Sequence, residues 1–145
     1  MIPPTAAVET PFAKYPTVFS VLRGRNGAAR EYPALIIPTS DYCVLPKVDA
    51  FNLGYPEAAS VDERTPLPNT LTFASFNAYG RGTLIKMERV DIGSISVENV
   101  EFVAFDIFQT AGYDVVLGRS LLRHMRLELD FAAGRLRMEK VTAPR

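Results

Sequence analysis

The chain has almost no cysteine or histidine, no tryptophan and no net charge, and each shortage removes a class of protein. A single cysteine, Cys43, excludes an internal disulfide framework. A single histidine, His124, cannot join that thiol in a four-ligand zinc site, so neither a metal nor a cofactor is expected. Lysine plus arginine number 16 and aspartate plus glutamate 16, which leaves no basic excess of the kind nucleic-acid binders carry. No apolar run approaches the length of a membrane-spanning helix. The opening Met1-Ile2-Pro3-Pro4-Thr5 lacks the basic and apolar regions of a signal peptide. The expected compartment is the cytoplasm, with no nucleic-acid or membrane partner.

What is present is enough for one domain with a real core: 145 residues, 48% of them hydrophobic and 22% charged. The 11 prolines and 9 glycines leave little room for long helices. Residues 1–16 read as an extended arm, 17–140 as the domain and 141–145 as a tail. Thr17–Arg23 and Ala29–Ile37 flank Asn26-Gly27, a pairing that favours a type I′ hairpin with positive φ at both residues. Tyr42–Leu45 is a further strand and Val48–Leu53 a short helix stopped by Gly54. Residues 55–69, with Pro56, Pro66 and Pro68, form a loop. Strand-like runs recur at Leu71–Phe76, Thr83–Val90, Ile95–Val97, Val100–Phe105 and Asp114–Leu117. Ser120–Arg126 carries Leu121, Leu122 and Met125 at helical spacing, and Leu127–Phe131 with Arg135–Glu139 closes the chain as a hairpin. Many short strands and a small late helix predict an all-β, barrel-like domain.

Three segments in this order carry a resemblance. The first is Ala34-Leu35-Ile36-Ile37-Pro38-Thr39-Ser40-Asp41-Tyr42-Cys43-Val44-Leu45-Pro46. The second is the glycine-rich tip Phe76-Asn77-Ala78-Tyr79-Gly80-Arg81-Gly82. The third is Asp114-Val115-Val116-Leu117-Gly118-Arg119-Ser120-Leu121-Leu122. Together they resemble the retropepsin-like aspartic proteases, small domains that work as homodimers. The resemblance implies a closed β-barrel, half of an acid protease, with a flap hairpin over the cleft and one short C-terminal helix. It makes Phe76–Gly82 the peptide-binding flap, and Gly118-Arg119-Ser120 the family's Gly-Arg-Asn/Asp.

The departure lies where the chemistry should be. Aligned on the flanking strands, the family's Asp-Thr-Gly falls on Ile37-Pro38-Thr39. In the family one aspartate from each subunit shares a proton across the dimer axis, one acting as base on water and the other polarising the scissile carbonyl. Isoleucine has neither a proton to exchange nor a lone pair to orient water. Asp41 has two readings. It is either a displaced catalytic carboxylate or, the favoured reading, the structural partner of Arg119 in a bidentate ion pair. Asp106, Asp114 and Asp130 read as turn or strand-edge residues, Cys43 as a small core hydrophobe, and His124 as lying on a solvated face beside Arg123 and Arg126. A Cys43–His124 dyad has no supporting motif, and Gly80-Arg81-Gly82 lacks the third glycine of a dinucleotide loop.

The resemblance therefore leads to a catalytically degenerate, homodimeric, peptide-binding or scaffolding module. The alternative is an active aspartic endopeptidase that recruits Asp41, or one that pairs with a chain supplying Asp-Thr-Gly.

Overall fold

The computed structural model describes residues 6–58, 70–72, 81–105, 113 and 115–141. Its strands are β1 (Ala7–Pro11), β2 (Thr17–Arg23), β3 (Ala29–Ile36), β4 (Cys43–Leu45), β5 (Thr70–Thr72), β6 (Arg81–Ile92), β7 (Ile95–Ala104), β8 (Val115–Leu117), β9 (Met125–Asp130) and β10 (Arg135–Lys140). Among the described residues two short α-helices interrupt them, α1 (Lys47–Asn52) and α2 (Arg119–Leu122), and a 3-10 turn at Pro56–Ala58 opens the segment expected as loop. The all-β expectation holds.

Six strands close a ring in the order β2-β3-β8-β4-β7-β6, with β6 returning to β2 through Val21–Asp91, Leu22–Val90 and Arg23–Arg89. Length makes the closure possible. Twelve-residue β6 pairs with β7 along nearly all its run, with β2 at one end and with β5 at the other. The alternation in Thr17–Arg23 turns Val18, Ser20 and Leu22 inward and leaves Phe19 and Arg23 outside. The second sheet, ordered β1-β10-β9, turns Leu136 and Met138 onto the barrel core, where Val8, Leu127 and Leu129 join them. Its outer face carries Glu9, Arg126, Glu128, Arg135 and Arg137.

Several local expectations are corrected. The turn after β2 is not type I′, because Gly27 (φ 82°) has positive φ and Asn26 does not. Asn26 instead bridges the loop with its side chain, accepting from Ala28 N–H (3.0 Å) and donating to Asn52 O (3.0 Å), while Gly24 N–H reaches Ala28 O (3.0 Å). Ile95–Val97 and Val100–Phe105 are one strand, β7, which continues through Glu98 and a left-handed Asn99 (φ 55°).

The helix expected over Ser120–Arg126 is α2, ending at Leu122. Met125 is already in β9, opposite Lys140, and Val141 N–H bonds His124 O (2.9 Å). Leu121, Leu122 and Met125 are buried as their spacing implies, yet a turn followed by a strand buries the same three. Arg81 and Gly82, read as part of a hairpin tip, begin β6 opposite Thr72 and Leu71. Residues 76–80 of the expected flap, with Asp106 and Asp114, lie outside the described residues. Among the described residues no helix is long and apolar enough to cross a membrane.

Candidate functional site

Two three-residue strands, β4 and β8, lie beside the end of the longer β7, with Val44 paired antiparallel to Val116 on β8 and parallel to Val103 on β7. Every residue of Cys43–Leu45 and Val115–Leu117 is fully buried, so both faces of these strands are covered. Cys43, Leu45, Phe102, Ala104, Val115 and Leu117 belong to the main core. Alternation puts Val44, Val103 and Val116 on the opposite face, as a second cluster joined by Ile37, Tyr42, Leu84 and Phe105.

The chain crosses above this second cluster between β3 and β4. Ile37 N–H donates to Leu117 O (3.0 Å), extending the parallel β3–β8 ladder by one residue. Ser40 N–H then returns to Ile37 O (3.1 Å), closing a four-residue turn with Pro38 and Thr39 exposed at its centre. Proline supplies the φ that the second position of such a turn needs, and Thr39 has no positive φ, so no glycine is required there. Buried Ser40 donates its hydroxyl to Tyr42 O (2.7 Å). The start of α2 clasps the other side, Arg119 N–H reaching Ser40 O (2.8 Å) and Ser120 N–H reaching Asp41 O (3.1 Å). A Cβ on Gly118 would lie 2.3 Å from Tyr42 O and 2.6 Å from Ser40 O, so only glycine fits.

Behind the loop, Ser120 Oγ accepts from Cys43 N–H (3.0 Å) and donates to Glu101 O (2.6 Å), tying α2 to β4 and β7. Burial pushes the Cys43 thiol up to about 11, against the lowering effect of hydrogen bonds from Ser120 and Gly118, so it stays a neutral core group. His124 stands apart, at the junction of α2 and β9. Burial, then the charges of Arg123 and Lys140, hold its pKa below the ordinary value. No Cys43–His124 hydrogen bond or ion pair exists among the described residues.

A scan against protein-family models finds no match, and a search of the curated proteins finds none either. Among solved structures, a retropepsin-like aspartic protease from Rickettsia conorii aligns over 99% of both chains with a TM-score of 0.62 at 16% identity. The fold is retropepsin-like. The retroviral protease-like domain of Ddi1 from Leishmania major is also similar, with a TM-score of 0.45, 13% identity and coverage of 83% of this chain and 84% of that one.

Within this domain, the turn Ile37-Pro38-Thr39 carries no acid or base. Ile37 packs its side chain on the valine cluster. The nearest carboxylate along the loop, Asp41, points to solvent with its side chain 75% exposed, and Arg119 Nη1 meets Asp41 Oδ1 at 3.7 Å with its own side chain 70% exposed. That single long contact is not the bidentate pair expected from sequence, and exposed pairs of this kind contribute about 0–1 kcal/mol. The backbone bonds of Arg119 and Ser120, not their charges, fasten the loop. Asp41, Glu101, Arg119 and Arg123 together line an open cavity of about 300 Å³, where two guanidinium groups offset two carboxylates. No cluster of three or more metal-ligating side chains occurs among the described residues. Sequence reasoning passed over Val103 and Leu84 as site residues. For Val103 the available signal was the uninterrupted apolar run Phe102-Val103-Ala104, which marks a strand end covered on both faces; Leu84 had no such signal.

Proposed function

We propose that this chain is a retropepsin-like domain that holds an extended peptide without hydrolysing it, acting as a pair of identical chains. The carrying observation is the seating of Ile37 on Val44, Val103 and Val116, at the position the resemblance assigns to the catalytic aspartate. A protonatable group there would face three fully buried valines. The half-buried isoleucine instead caps these covered valines and offers an apolar contact to a side chain of a peptide laid beside the loop. Replacing buried ionic groups by apolar ones is often neutral or stabilising, so the change is compatible with an intact cleft and an intact pair. The β5–β6 hairpin, whose base pairs Thr70–Thr72 with Arg81–Thr83, is the flap of this reading.

The test is exposure of the purified chain to a diverse peptide pool between about pH 3 and about pH 7, the range in which a carboxylate pair sharing one proton works. Mass spectrometry then looks for products. The expected outcome is no cleavage by the chain as it stands, with apolar extended peptides retained on it. Cleavage appears at acid pH when Ile37→Asp, Pro38→Thr and Thr39→Gly are introduced together. Cleavage by the unaltered chain that disappears in Asp41→Asn overturns the reading in favour of a displaced catalytic carboxylate.

A further inference from the structure

The open cavity of about 300 Å³ beside α2 holds charges that are only loosely matched. Arg123 N–H donates to Arg119 O (2.9 Å), so one turn separates the two residues and their side chains leave the same face. Elsewhere Arg23, Arg89, Arg135 and Arg137 meet carboxylates at 2.8, 2.7, 2.9 and 3.1 Å. Arg119 reaches Asp41 only at 3.7 Å. Arg123 forms no ion pair among the described residues. Its Nε donates to His124 Nε2 (3.4 Å), which leaves the two terminal nitrogens of the guanidinium facing no carboxylate among them. Glu101 lines the same cavity and is likewise without an ion pair among the described residues. Like charges one turn apart oppose each other on a helix. A carboxylate held between two guanidinium groups reverses that opposition and accepts charge-assisted hydrogen bonds from both.

The cavity is continuous with the apolar contact at Ile37. Tyr42 packs on the valine cluster together with Ile37 and also lines the cavity. Glu101 precedes Val103 by two residues and so shares its face of β7. A peptide with an apolar side chain on Ile37 can therefore carry a neighbouring carboxylate to Arg119 and Arg123. Asp41 and Glu101 limit how much charge is welcome there, because they balance the two arginines. A carboxylate adds a single negative charge, whereas a phosphate adds nearly two and meets both acidic side chains.

We propose that this cavity is a carboxylate subsite for the bound peptide, with Arg119 and Arg123 bracketing the group from positions one turn apart. The carboxylate belongs to an acidic side chain or to a free C-terminus. The proposal rests on the peptide-holding reading and adds a charge requirement to it.

The chain has no tryptophan, so one tryptophan in a short valine- and leucine-rich peptide reports binding without an added dye. Fluorescence anisotropy on the full-length chain compares four forms of that peptide: C-terminal amide, C-terminal acid, amide with one glutamate, and amide with one phosphoserine. At least one carboxylate form is expected to bind about tenfold tighter than the plain amide, the worth of roughly one charge-assisted hydrogen bond. That preference disappears in Arg123→Gln and in Arg119→Gln, and it survives in Arg126→Gln, outside the cavity. Tighter binding of the acid form alone identifies a free C-terminus as the source, and of the glutamate form alone a side chain. Equal binding of all four forms overturns the subsite and leaves the peptide-holding reading standing. A preference that survives both Arg123→Gln and Arg119→Gln overturns its placement in this cavity. Tightest binding of the phosphoserine form overturns the choice of ligand. Failure of every form to bind, with nothing retained from the diverse peptide pool, overturns both the subsite and the reading it rests on.

Discussion

Gly118 is the residue on which the geometry of the loop turns most sharply. A side chain there collides with two backbone carbonyls, neither of which can rotate away as a flexible side chain does. Gly118→Ala is expected to destabilise the domain by about 3 kcal/mol or more, measured by urea unfolding, because the added methyl must displace either the β3–β4 loop or α2. Asp41→Asn is expected to cost less than about 0.5 kcal/mol in the same experiment, since its ion pair with Arg119 is long and exposed. The contrast was partly legible beforehand. The pairing of Gly118-Arg119 with Asp41 could be read from residue types, but which member mattered could not. Charge and motif point to the arginine, whereas the close approach of backbone to Gly118 exists only once β8 lies beside the loop. Cys43 gives a second residue-scale test. Buried, with its thiol pushed up to about 11, it is expected to resist alkylation at pH 8 in the native chain and to react fully on unfolding.

At the scale of elements, closure of the barrel is reinforced by a charge cluster where β2 meets β6 and β7. Asp91 accepts from Arg23 Nε (2.8 Å), Arg89 Nε (2.7 Å) and Ser96 Oγ (2.5 Å). Burial alone would raise its pKa, but the hydrogen bonds from Arg89, Arg23 and Ser96 outweigh it and hold the carboxyl at about 2. The folded value lies below the unfolded value of about 4, so the stabilisation is fully present above about pH 4. It is lost as pH falls through about 2. Allowing for the solvent exposure of both arginines, its size is about 1–2 kcal/mol. Asp91→Asn is expected to flatten the fall in stability between pH 5 and pH 2, read as the shift in urea midpoint at each pH. No sequence signal singled out Asp91. It precedes a Gly-Ser turn and reads as an ordinary surface acid until β6 folds back on β2. The two helices teach the same lesson in reverse. Apolar spacing set the burial of Leu121, Leu122 and Met125 correctly, while the pairing of Met125 with Lys140 decided that the last of them joins a strand.

For the whole molecule, the two faces of one short layer of strands divide the labour. Inward residues of β4, β7 and β8 fill the barrel, and outward Val44, Val103 and Val116 make the floor on which Ile37 rests. Val116→Asp is expected to abolish peptide retention and to destabilise the fold, because an unpaired carboxylate would enter a fully covered site; Leu84→Ser, at the half-buried margin, is expected to weaken retention with only a modest loss of stability, and the two readouts are separable by binding anisotropy and urea unfolding. The sequence by itself determined the fold class and the absence of an acid at position 37, because turn residues, short β-branched runs and the identity of one side chain are local properties. Tertiary structure alone decided what surrounds them: the ring closed by β6 on β2, and the valine cluster assembled from strands distant in sequence. Such features depend on which strands become neighbours, and pairing across long stretches of chain leaves no mark in the spacing of residues along it.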